Sequence, residues 1–132
     1  MPVIVETVTA ASAQDLTDLH KVYADAPDWL LPPHADAGAL IESALASGSL
    51  IAGRFNARLL GAGLLTREGN ALYLSHLCVR RLTRNRGVAS RLVAFARQQA
   101  AAQGLTLYLR SPAGHLESRG WAVRFGLPLA DS

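Results

Sequence analysis

"CVRRLTRNRGVASRLVAFARQQ", Cys78 to Gln99, decides the fold. An apolar strand end runs into a basic loop, Gly87 interrupts it, and Val88, Leu92, Phe95, Ala96 and Gln99 then recur at helical spacing. The stretch holds six arginines and no carboxylate. A helix start presents several amide N–H groups without an intrahelical partner, together with a partial positive charge. A glycine just before it lets an anion approach the backbone closely, and Arg84-x-x-Gly87-x-Ala89 has that arrangement. The small Gly87 and Ala89 leave room for a phosphate, and Arg80, Arg81, Arg84 and Arg86 can reach the same anion. The arginines thus surround a site for a di- or polyphosphate. The site is neither a P-loop, which needs Gly-Lys-Ser/Thr, nor a Rossmann fingerprint, which needs G-x-G-x-x-G.

With 132 residues, half of them hydrophobic and only 17% charged, the chain is expected to fold as one domain, 1–132, around its own core. Its start, MPVIVETVTAA, lacks a basic segment followed by a long apolar one, and the longest greasy run, Leu59 to Leu65, is too short to span a bilayer. A soluble cytoplasmic protein with no membrane partner is the expectation. The lone Cys78 makes no internal disulfide and supplies no metal-ligand spacing, so it reads as a small buried hydrophobe and no metal is expected. Seven of the ten acids lie between Glu6 and Glu42 and none between Glu68 and Glu117, so the middle of the chain is electropositive. Twelve of the thirteen basic residues are arginine, whose planar fork matches phosphate oxygens.

Before that segment, Pro2 to Val8 reads as a strand, and Ser12-x-x-Asp15 opens a helix to about Ala24 whose face carries Leu16, Leu19, His20 and Tyr23. Prolines make the next stretch a loop; Asp36 then caps a helix with Leu40, Ile41, Ala44 and Leu45, which Gly48 ends. Ser49 to Phe55 and Arg58 to Arg67 form a hairpin around Asn56-Ala57, and a turn at Glu68-Gly69-Asn70 leads into a strand from Ala71 to Val79. After the helix that follows Gly87, Gly104 precedes a fifth strand, Leu105 to Leu109, which a helical crossover should make parallel to the fourth. A short helix is expected from Glu117 to Phe125. The fold class is α/β (α+β): a mixed, mostly antiparallel sheet flanked by helices, in the order β-α-α-β-β-β-α-β-α.

This order and motif resemble the GNAT acyltransferase superfamily, from Val3 to about Phe125. The resemblance implies acetyl-CoA (or CoA) as ligand. The amides of Asn85, Arg86, Gly87, Val88 and Ala89 would hold its pyrophosphate. Leu77, Cys78 and Val79 would pair with the pantetheine from a splayed strand, and the basic loop, Arg81 and Arg84 included, would meet the 3′-phosphate. A closer resemblance is to a small branch, the PanZ-type aspartate decarboxylase maturation factors, through "RFNARLL" (Arg54 to Leu60), "VRRLTRNRGVASRL" (Val79 to Leu92) and "AGHLESRG" (Ala113 to Gly120). It implies a regulator that, with acetyl-CoA bound, docks on the aspartate decarboxylase proenzyme and promotes its self-cleavage, with Arg54 and Asn56 facing that partner.

Two rival readings stand beside this one. A basic nucleic-acid-binding face is disfavoured, since few aromatics accompany the arginines as stacking platforms. An active N-acetyltransferase would need catalytic groups, for which His76 and Tyr108 are the candidates, although a strand histidine or tyrosine more often packs. His115 and Glu117 read as loop surface. Many GNAT enzymes carry a tyrosine in the helix after the fifth strand as general acid; here no tyrosine follows Tyr108, and Trp121 and Phe125 stand in that helix. The family's final strand pair is expected to be shortened or missing.

Overall fold

The computed structural model describes residues 3–26, 30–31, 33–80, 87–111 and 124–131. Strand β1 (Ile4–Thr7) is followed by helices α1 (Ala13–Ala24) and α2 (Ala37–Ser47), strands β2 (Leu50–Phe55), β3 (Arg58–Glu68) and β4 (Ala71–Val79), helix α3 (Val88–Gln103), and strands β5 (Thr106–Ser111) and β6 (Leu129–Asp131). The six strands form one sheet in the order β1-β2-β3-β4-β5-β6. Pairing is antiparallel up to β4, then parallel for β4–β5 and β5–β6. The expected order is therefore found, and among the described residues a strand of three residues, β6, follows β5 in place of the family's final pair. Of the expected last helix, Arg124 and Phe125 are described, and they are helical.

Local chemistry accounts for the boundaries. The Ser12 hydroxyl accepts from the Asp15 N–H at 3.0 Å and the Ser12 N–H donates to the Asp15 carboxylate at 3.3 Å, a reciprocal capping box. Asp36 accepts from the Ala39 N–H at 2.8 Å, and Gly48 and Gly104 end α2 and α3 in the left-handed conformation.

Each face of the sheet carries a core. Leu72, Leu74, Leu77, Leu107 and Leu109 pack with Val88, Leu92, Val93, Ala96 and Ala100 of α3. On the opposite face, Leu50, Leu59, Ala62, Leu64 and Cys78 pack with Leu19, Val22 and Tyr23 of α1 and Leu40, Ile41 and Ala44 of α2. The face of α1 differs from the expected one: Asp15, Asp18, Leu19, Val22 and Tyr23 are buried, whereas Leu16 and His20 turn outward. The reason is that both aspartates are held by arginines of the β2–β3 hairpin, which rotates them to the core side.

Candidate cofactor-binding site

Helix α3 starts where the sequence placed it. Gly87 is its N-cap at φ 84°, a conformation that costs glycine little, and no side chain caps the helix and no acid stands in its first turn. Among the described residues, a Cβ added at Gly87 would meet nothing within 4 Å. The helix end is seated by glycines beneath it. Gly53 and Gly61 are cross-strand partners on β2 and β3, and a Cβ at Gly61 would lie 2.8 Å from the Val88 side chain. Their bare backbones form the hollow that receives Val88, which is 1% exposed. A helix start with no side-chain cap and no acid in its first turn suits a phosphate of the kind CoA carries.

Strand β4 is irregular where it approaches this helix. Ala62 pairs with Cys78 but Leu64 pairs with Ser75, so Gly63 on β3 faces both His76 and Leu77. His76 lies in the left-handed region at φ 53°, rare for a side chain of that size inside a strand. Pairing between β4 and β5 runs from Ala71 to Leu74 and stops there, while β5 pairs with β6 from Leu109 onward. Several groups gather at the bulge. The Tyr23 hydroxyl donates to the His76 carbonyl oxygen at 2.8 Å, His76 Nδ1 lies 2.9 Å from Ser75 Oγ, and the His34 ring meets that of His76 edge-on, centroids 5.4 Å apart. Tyr23 is buried, which pushes its hydroxyl well above the ordinary value of 10.0 and keeps it a donor.

The hairpin tip is tied to α1 by ions. Arg54 donates to Glu6 from Nε at 2.9 Å and Nη2 at 2.8 Å, and to Asp15 from Nη1 at 3.0 Å and Nη2 at 3.2 Å. Arg58 donates to Asp18 at 2.7–3.1 Å, and the Leu59 N–H donates to the same carboxylate at 3.1 Å. The Arg54 bonds hold the Asp15 carboxyl below its ordinary value. For the fully buried Asp18, burial alone would raise the pKa, but the bonds from Arg58, Leu59 and Gln14 outweigh it.

The residues expected at the site divide as follows. Leu77, Cys78 and Val79 are buried on β4 beyond the end of the β4–β5 register, and the Cys78 thiol donates to the Val22 carbonyl at 3.3 Å, in keeping with a packed hydrophobe. Gly87, Val88 and Ala89 form the start of α3, with Val88 buried and Ala89 half-buried. Arg81, Arg84, Asn85 and Arg86 lie outside the described residues, as do His115, Glu117 and Trp121. Tyr108 stacks on Tyr73, centroids 5.5 Å apart, and Arg110 covers the Tyr73 ring at 3.7 Å while pairing with Glu68. Tyr108 therefore stands in a packed polar layer within the β4–β5 register, apart from His76 at the bulge. Asn56 is an exposed turn residue at φ 48°, and Arg54 is engaged by Glu6 and Asp15. Sequence reading missed the carboxylates facing the hairpin arginines. The signal was present: two aspartates one turn apart on the face that also carries Leu19 and Val22 require partners.

A bulged strand, a glycine-led uncapped helix, and a return in parallel to a neighbouring strand define the GNAT acyltransferase class. The chain belongs to the family described as acetyltransferase (GNAT) domain, PanZ, whose model matches residues 2–126. Solved structures agree on the fold. N-acetylglutamate synthase from Neisseria gonorrhoeae, complexed with coenzyme A and N-acetyl-glutamate, superposes at TM-score 0.70 and 17% identity over 94% of this chain and 28% of that one. The chain thus spans less than a third of that enzyme's length. PH1933 from Pyrococcus horikoshii gives TM-score 0.74 at 12% identity over 95% of this chain and 88% of that one. The PaiA N-acetyltransferase of Thermoplasma acidophilum, in complex with coenzyme A, gives 0.70 at 13% over 94% and 88%. No curated protein matches. Among the described residues no helix is long and apolar enough to cross a membrane.

Proposed function

We propose that this chain binds acetyl-CoA at the start of α3 and acts in the cytoplasm as an acetyl-CoA-dependent regulator that promotes self-cleavage of the aspartate decarboxylase proenzyme. Family membership over residues 2–126 carries the reading. Its support in the structure is the glycine-led helix start at Gly87, without a side-chain cap, where Val88 and Ala89 amides can take a pyrophosphate and Arg81, Arg84, Asn85 and Arg86 lie just before them in sequence. Leu77 to Val79 stand on β4 between the bulge and that loop, in line with a pantetheine chain. Bound acetyl-CoA supplies an activated thioester. Arg54 and Asn56 belong to the hairpin assigned to the partner.

A second reading, acetyl transfer to an amine, is favoured by one observation, the left-handed His76 with Ser75 and His34 at the bulge. A backbone strained in this way clusters at functional sites. Mixing the protein with the purified proenzyme, with and without acetyl-CoA, and following chain scission by intact mass tests the first reading. Scission that depends on acetyl-CoA is expected, and it should vanish in Gly87→Glu, which places a carboxylate where the phosphate would sit. Absence of scission in the wild type, with acetyl-CoA bound and consumed in the presence of amines, would establish the second.

A further inference from the structure

The hairpin tip joins β2 to β3 through Asn56 and Ala57, both left-handed, at φ 48° and 66°. Asparagine tolerates that region, but for alanine it costs about 1 kcal/mol or more, a cost glycine would remove. Both residues are exposed, so no packing demands the strained form. It is held from below instead. Arg54 Nη1 donates to the Ala57 carbonyl at 3.3 Å, and the same guanidinium is gripped by Glu6 and Asp15. On the other strand Arg58 is gripped by the fully buried Asp18, whose carboxylate also takes the Leu59 N–H. The two arginines at the base of the turn thus face three carboxylates, and neither presents an uncompensated positive charge.

We infer that Arg54 is a positioning residue, and that the Arg54–Glu6–Asp15 and Arg58–Asp18 pairs lock the Asn56-Ala57 turn into a rigid, charge-compensated knob for a protein partner. This rests on the proposed reading that the hairpin meets the decarboxylase proenzyme, and it specifies the chemistry of that contact. The partner offers neutral hydrogen-bonding groups to the Asn56 amide and the turn backbone, since an acidic patch would gain nothing from arginines already paired. Preorganisation is what the lock contributes: a turn already in its bound form loses less entropy on docking.

Binding to immobilised proenzyme at saturating acetyl-CoA tests this, with thermal stability and acetyl-CoA affinity followed in each variant. Ala57→Gly should melt no lower than wild type yet bind the proenzyme about fivefold or more weakly, because glycine frees the turn. Asp15→Asn should weaken binding comparably without touching the partner. Ser12→Ala, which removes the helix cap but leaves Arg54 gripped, should bind like wild type at lower stability. Wild-type affinity in Ala57→Gly, or equal losses in Ser12→Ala and Asp15→Asn, would overturn the inference. Should wild type fail to bind the proenzyme while binding acetyl-CoA, the partner reading falls. The lock is then decided by amide exchange at Ala57 and Arg58, which should quicken at least tenfold in Asp15→Asn and would refute it if unchanged.

Discussion

Asp18 is 0% exposed and accepts from Arg58, the Leu59 N–H and Gln14, so its charge is stabilised by donors rather than by water. Replacing it with alanine leaves the buried Leu59 N–H without its side-chain acceptor, and unfolding in urea should show a loss of about 2–3 kcal/mol at neutral pH. Asp15 and Asp18 both have folded pKa values below the ordinary 3.8. The unfolded chain therefore takes up protons first on acidification. Their contribution to stability is complete well above pH 3.8 and is lost as the pH falls through the lowered folded values. A denaturation series between pH 7 and pH 3 should show wild type losing stability at the acid end, and the Asp15→Asn, Asp18→Asn double variant, weaker at pH 7, losing less. Parallel pH curves would disprove the assignment.

The link between sheet and anion site is the contact of α3 with two glycines. A methyl at Gly61 would meet the Val88 side chain at 2.8 Å, too close for a real contact, and the Cys78 carbonyl at 3.2 Å, tight enough that the neighbour must give. Gly61→Ala should thus displace the start of α3 and weaken acetyl-CoA binding about tenfold, although residue 61 lies on β3 beneath Val88 and not in the helix start itself; calorimetry reads this directly, and unchanged affinity would show that the seat does not matter. Most of these elements were legible in the sequence, because caps and turns are local: Ser12 with Asp15, Asp36, Gly48, Asn56 and Gly104 each mark a boundary within a few residues of themselves. The glycine-led start of α3 was legible for the same reason. What escaped was non-local. Arg54 meets Glu6 and Asp15 across 48 and 39 residues of chain, and the bulge at His76 is a mismatch between two strands that neither strand's own pattern announces. The face of α1 was misjudged through the same gap, since buried aspartates look like solvent residues until their arginines are found.

One sheet separates two cores, with Leu92 of α3 at the centre of one and Leu19 of α1 in the other, each 0% exposed. Strands shared by both cores should make the chain a single cooperative unit. Leu19→Ala and Leu92→Ala are each expected to cost about 2–5 kcal/mol. Hydrogen exchange should show each substitution lowering protection in both helices by a similar amount; an effect confined to the mutated side would mean that the two cores open separately. The order of strands across the sheet repeats their order along the chain. During synthesis, then, once β1 and β2 have met, every later strand finds its neighbour's edge already laid down. A sheet built in this way grows from one margin to the other as the chain leaves the ribosome, with no strand inserted between two others, and the search for each pairing stays short.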